Sequence, residues 1–146
     1  MSTPRKPRYA HCYRCLYVWK MRRRSPSICP RCKSKLWRVP KIRPVRMGNG
    51  LGIEEIIGPK RSEVLRLARR YGAENVRVFG SVRRREADAK SDVDLLVDWR
   101  PGSRPGASLA LAEQYRALLG RPVEVATERN LEWYAAPTIL AEAVPL

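Results

Sequence analysis

Two sets of residues in this chain have the types and spacing that support chemistry. The first is Cys12-Tyr-Arg-Cys15 and Cys29-Pro-Arg-Cys32, two pairs separated by thirteen residues. Each CxxC turn can wrap one side of a tetrahedral metal ion, and four thiolates complete a closed structural Zn²⁺ shell. Two disulfides are the alternative, and a reducing compartment disfavours them. A redox role needs only one pair. His11 adjoins Cys12 as a substitute ligand, but four thiolates already fill the shell, so it is read as a bystander. The second set is Gly80-Ser81 followed by Asp92-Val-Asp94. Alternate residues of a strand share a face, so the two carboxylates should project together, about 7 Å apart. Like charges so placed call for a proton or a cation, and hard oxygen donors favour Mg²⁺ or Mn²⁺. Glycine lets a phosphate approach the backbone, while serine offers a hydroxyl and an N–H. A phosphate cradle facing a metal-binding carboxylate pair is what phosphoryl or nucleotidyl transfer requires.

Helices and strands must position those residues. Val64, Leu65, Leu67 and Ala68 recur at helical spacing, and Tyr71-Gly72 supplies a stop. Val76 and Val78 alternate with Arg77 and Phe79 in a strand that runs into Gly80-Ser81. Val93, Leu95 and Val97 alternate with the aspartates in a second strand. Asp98 shares the face of Asp94 and is a weaker candidate ligand, read as solvated. Residues 108–120 form an amphipathic helix, 121–127 a third strand, and the remainder is mostly helical, interrupted near Pro137. The order α-β-β-α-β-α predicts an α/β (α+β) domain with one mixed sheet and flanking helices. IEEII (53–57) reads as a short helical turn, and Arg83, Arg84 and Arg85 as part of a basic loop.

The charge is split along the chain. Of 146 residues with net charge +16, the first 53 hold fifteen Lys or Arg and no acid, whereas the rest hold fifteen against fourteen. That asymmetry predicts two modules and favours a polyanion, RNA or DNA, as the partner of residues 1–53. Simple solubility of a small module is the competing reading. The boundaries expected are a cysteine module at 8–40, a connector with a flexible joint at 41–58, and a second domain at 59–146. A hydrophobic content of 44% supports a folded core. No apolar run approaches the ~20 residues of a membrane span, and the N-terminus lacks a signal-peptide core, so no membrane and a cytoplasmic location are expected.

Residues 9–40 resemble the zinc-ribbon family, in which short strands flank each CxxC turn; LYVWKM (16–21) and KLWRVP (35–40) fit those strands. Tyr9, Tyr13, Tyr17, Trp19 and Trp37, interleaved with Lys and Arg, suit either stacking on bases or packing over a tiny sheet.

Gly80-Ser81, ten residues, then Asp92-x-Asp94 resembles the pattern of the DNA polymerase beta-like nucleotidyltransferases. With FGS before it and SDVDLLV around it, the stretch is similar to the minimal nucleotidyltransferases, over roughly residues 60–146 and including the closing EAVPL. The resemblance implies that Gly80 and Ser81 hold the triphosphate of ATP and that Asp92 and Asp94 bind divalent metal. Glu124 stands where the family usually has an aspartate that completes the metal site and helps deprotonate the acceptor hydroxyl. Arg85 stands where glycine is common. Arg83 and Arg84 are candidate grips for the triphosphate or an RNA acceptor.

Three functions follow. The resemblance implies transfer of AMP to a tyrosine of a HEPN-type toxin by an antitoxin. The basic first third raises transfer of nucleotides to an RNA 3′ end. A non-catalytic nucleotide- or toxin-binding module tethered to nucleic acid is the third. The first is preferred.

Overall fold

The computed structural model describes residues 8–22 and 26–146. The chain divides into two compact units, residues 1–42 and 43–146. Among the described residues no helix is long and apolar enough to cross a membrane.

In the first unit, β1 (Tyr9–His11) pairs antiparallel with β2 (Val18–Lys20), with Ala10 opposite Trp19. Ala10, Cys12, Cys29 and Trp37 form its small core. The expected strand over 16–21 is present in shortened form, but 35–40 is a run of turns and the partner strand is Tyr9–His11. Trp37 is the reason: it is buried, its carbonyl accepts the Tyr13 N–H (2.8 Å), and its indole donates to the Pro26 carbonyl (3.2 Å). A turn lays this ring over the cysteines; a straight strand would carry it past them.

The second unit is built on one mixed sheet, as the element order predicts, but with four strands rather than three, because the chain after the last helix returns to the sheet edge at Val144–Pro145. Its order is β5–β4–β3–β6, formed by β3 (Ala73–Phe79), β4 (Val93–Trp99), β5 (Val123–Ala126) and β6 (Val144–Pro145). β4 and β5 are parallel; β3 runs antiparallel to β4 and to β6. One face is covered by α2 (Arg61–Tyr71) and α4 (Ala107–Leu119), which bury Val64, Ala68, Leu111 and Tyr115 against Val78, Val93, Leu95 and Val97. Gly72 closes α2 in the left-handed conformation (φ 82°). The Tyr115 hydroxyl is buried and donates to the Val64 carbonyl at 3.0 Å. On the other face Phe79, Leu96 and Ala126 pack under Ile139 of α5 (Ala136–Glu142). This second covering explains why Leu96 is buried although it shares a strand face with Asp94 and Asp98.

The segment expected to be a connector is drawn into this unit from Arg43 onward. Gly48 and Gly50 donate to the carbonyls of Arg84 and Arg85 (both 2.7 Å), and Leu51 donates to Ala87 (2.8 Å). The short helix α1 (Ile53–Ile56) follows, and Ile57 is fully buried.

Candidate active site and metal centre

The register of the sheet builds the acidic site. Phe79, the last residue of β3, pairs with Asp94 on β4, and Asp94 pairs with Glu124 on β5. Three neighbouring strands therefore bring one turn and two carboxylates to the same end of the sheet. Asp92 lies two residues before Asp94, just ahead of β4 rather than within it, and is exposed.

Immediately after Phe79 the chain turns into the five-residue helix α3 (Gly80–Arg84), with Val82 buried beneath it. The basic segment after Gly-Ser was expected as a loop; its first turn is helical because Val82 has a place in the core. Gly80 has φ +72°, and a Cβ there would overlap the Asp94 carboxylate. Two independent constraints, backbone conformation and space, thus select glycine. The result is a carboxylate seated against the backbone of the turn.

Asp94 is half-buried, and its carboxyl is pushed up to about 6, first by that burial and then by the charges of Asp92 and Glu124. Arg84 works in the opposite direction. Asp94 therefore senses both neighbouring acids, and a cation beside it would relieve that repulsion. Their oxygen donors have the chemistry of a Mg²⁺ or Mn²⁺ site. Their geometry is open: among the described residues, the group of three or more ligating side chains whose atoms gather closely is the four cysteines. Asp98, at the opposite end of β4, accepts from Asn75 (2.8 Å) and Arg77 (3.1 Å) and so braces the sheet. It is paired, not merely solvated.

The residue that sequence reasoning missed is Glu142. It is buried, accepts the Gly80 N–H at 2.9 Å, and takes Arg84 Nη1 on both oxygens at 3.1 Å. Arg83 donates to its backbone carbonyl (3.0 Å), and Arg84 also donates to Glu86 (2.8 Å). Arg83 and Arg84 thus clamp the C-terminal helix to the turn. The available signal was a lone acid in the apolar stretch ILAEAVPL. Because Glu142 occupies the Gly80 N–H, Ser81 holds the available donor of the turn; its hydroxyl makes no hydrogen bond among the described residues. Arg85 adopts φ +56° and donates to Glu55 at 2.7 Å. The left-handed backbone accounts for the glycine common at this position in the family it resembles. Beside Glu124, a groove is lined by Phe79, Leu131, Tyr134 and Ile139.

The cysteine centre is more compact. All four Sγ atoms lie within 4.8 Å of one another, with Cys12 and Cys32 at 3.7 Å and Cys15 and Cys29 at 3.8 Å. A tetrahedral ion with Zn–S bonds of about 2.3 Å has edges of about 3.8 Å. A disulfide needs about 2.05 Å. The two turns repeat each other: Leu16 N–H donates to Cys12 (2.8 Å) and Lys33 N–H to Cys29 (2.9 Å), with Leu16 at φ 60° and Lys33 at φ 61°. The arrangement is compatible with a zinc ribbon.

A mixed sheet that seats a Gly-Ser turn on a carboxylate, beside two further acids, defines a nucleotide-transferring domain. The nucleotidyltransferase domain family matches residues 62–146, and this chain belongs to it. It is similar to the protein adenylyltransferase MntA of Thermococcus cleftensis, 36% identical over 94 residues, which span 64% of this chain and 95% of that one. A solved minimal nucleotidyltransferase shares 39% identity at a TM-score of 0.58, covering 68% of this chain and 100% of that one. The crystal structure of a toxin–antitoxin with AMP-PNP aligns at a TM-score of 0.52 and 17% identity, over 59% of this chain and 71% of that one, a likeness of fold. The family match begins at residue 62, so the cysteine unit lies outside it.

Proposed function

We propose that this nucleotidyltransferase moves AMP from ATP to a hydroxyl of a protein partner, a tyrosine of a HEPN-type toxin, and so acts as an antitoxin. The observation that carries the reading is the 36% identity to a protein adenylyltransferase across nearly all of that relative, combined with the seating of Gly80 against Asp94. In this reading the Ser81 N–H and hydroxyl hold a terminal phosphate, and Gly80 keeps the approach clear of side-chain atoms. Asp92, Asp94 and Glu124 would hold Mg²⁺, which would supply charge neutralisation at the triphosphate. Glu124 takes the proton of the acceptor hydroxyl as its oxygen bonds to the α-phosphorus and pyrophosphate leaves. The groove of Phe79, Leu131 and Tyr134 offers an apolar wall for a planar group beside Glu124. The four cysteines would hold structural Zn²⁺, and the proposed division is a ribbon over 8–40 and a transferase domain over 59–146, against which the segment from Arg43 packs.

The acid-free basic first third supports a second reading, transfer to an RNA 3′ end. One experiment separates the two. The zinc-loaded protein is incubated with Mg²⁺, α-labelled ATP, the product of the adjacent gene and total RNA. Label on the protein, absent with an Asp92→Asn/Asp94→Asn variant, is the expected result. Label on RNA alone replaces the first reading with the second. No label on either, with the other nucleotides also tried, removes both.

A further inference from the structure

We propose that one face of the cysteine-bearing unit docks single-stranded RNA, with Tyr9 and Tyr17 as stacking surfaces and Lys20 and Arg22 as phosphate contacts. This goes beyond the transfer chemistry and does not depend on it.

The face is a groove bordered by Tyr9, Tyr17, Val18, Trp19, Lys20 and Arg22. Trp19 and Met21 pack against the unit's core of Ala10, Cys12, Cys29 and Trp37, whereas Tyr9, Tyr17 and Val18 lie outside it. Tyr9 is 63% exposed, Val18 49% and Tyr17 38%. Rings left in water at this level suit a planar partner. They are also oriented. Trp19 is fixed by an edge contact to buried Trp37, centroid to centroid 5.1 Å, and Tyr17 lies nearly parallel to Trp19, at 8° and 6.1 Å. The core therefore sets the plane in which Tyr17 presents its ring. Arg31 lies 5.7 Å over the Tyr17 ring, adding a cation at the same place.

Charge selects the occupant. Residues 1–53 contain no acid, and Lys20, Arg22 and Arg31 are exposed and make no ion pair among the described residues. A surface that joins ring faces to unneutralised cations matches a chain of phosphates and bases. An acidic peptide would satisfy the charges but leave the ring faces without partners. A duplex would satisfy the phosphates but keep its bases stacked on each other. Loops and ends of RNA are single-stranded as an ordinary state, with bases available to stack on aromatic side chains.

The test is fluorescence anisotropy with the full zinc-loaded chain and a labelled RNA of about 12 nucleotides and mixed sequence. The same sequence as single-stranded DNA, an RNA duplex, and poly-glutamate as competitor complete the set. Single-stranded RNA should bind tightest, with affinity falling steeply between about 50 and about 200 mM salt. Tyr9→Ala and Tyr17→Ala should each weaken binding at least about fivefold, the equivalent of one stacked base, without changing the salt slope. Tyr17→Phe should retain affinity, and Lys20→Glu should lower the slope. Zinc content and tryptophan fluorescence identify any variant that has lost its fold; Tyr9, the most exposed ring, remains informative if Tyr17→Ala unfolds. Equal binding of the duplex, tighter binding of DNA, poly-glutamate capture that depends on the same tyrosines, or no loss in either alanine variant overturns the proposal.

Discussion

If Asp94 holds the metal as proposed, replacing it should raise stability while abolishing transfer. Its carboxyl is pushed up from 3.8 to about 6, chiefly by burial and then by Asp92 and Glu124. The native state therefore holds the proton more tightly than the unfolded chain does. Between those two values the folded form binds more protons, so stability falls as pH rises through the window from about 4 to about 6 and stays lowered above it. In a fully buried group a shift of this size would amount to about 3 kcal/mol. Asp94 is only half-buried and water screens it, so about 1 kcal/mol is expected. Asp94→Asn removes the charge while keeping the shape, and at pH 7 without divalent ions it should raise Tm by about 5 °C for a domain of this length. At pH 4, where Asp94 is protonated in the native state and about 40% protonated in the unfolded chain, most of the difference should disappear. Mg²⁺ should stabilise the wild type and not the variant. Thermal melts followed by circular dichroism at the two pH values, with and without Mg²⁺, supply the measurement. A variant that gains nothing at pH 7, gains equally at pH 4, or responds to Mg²⁺ as the wild type does would refute the account of Asp94 as a strained, cation-seeking carboxylate.

Other perturbations test the surrounding architecture. Gly80→Ala should cost about 1–2 kcal/mol from the left-handed backbone alone, and transfer should fall at least about 100-fold because the added methyl displaces the Asp94 carboxylate; urea unfolding and labelled-ATP assays read the two effects. Glu142→Ala leaves the Gly80 N–H and Arg84 without their buried acceptor and should cost about 2–4 kcal/mol; Glu142→Gln keeps one carbonyl oxygen and should lose less, as a shift in urea midpoint will show. A zinc-selective chelator should change the fluorescence of Trp19 and Trp37 as residues 8–40 lose their fold, while the circular dichroism of the helices in 43–146 persists; retained fluorescence in metal-free protein would contradict a metal-built core.

Much of this organisation is written in local patterns. The helical spacing before Gly72, the alternation of Val76 and Val78, and the aspartate strand give α2, β3 and β4 because each has a core to face and the periodicity reports it. The doubled CxxC spacing marks the cysteine cluster for the same reason, since both pairs are short-range turns. Long-range partners were less legible. Nothing in KLWRVP distinguishes a strand from a turn that folds Trp37 over the cysteines, because either would present one aromatic. Residues 48–52 resemble a flexible joint in their glycine content, yet those glycines serve close approach: a Cβ on Gly50 would lie 2.6 Å from the Ala87 carbonyl. Glu142 is 62 residues from Gly80, and no periodicity connects them. The Gly80-Ser81 turn and the strand that carries Asp94 were thus readable as positions, whereas the side chain that fixes the turn was not.

The Gly80–Glu142 contact also sets an order of events during synthesis. The glycine turn and both aspartates leave the ribosome well before the segment that anchors them, and closing a loop of this length must await that segment. A chain stalled or cleaved after β5 would carry every residue of the nucleotide-transfer motif and still lack the acceptor that holds the Gly80 N–H. The conformation of the Gly80 turn therefore depends on a side chain that follows it by 62 residues.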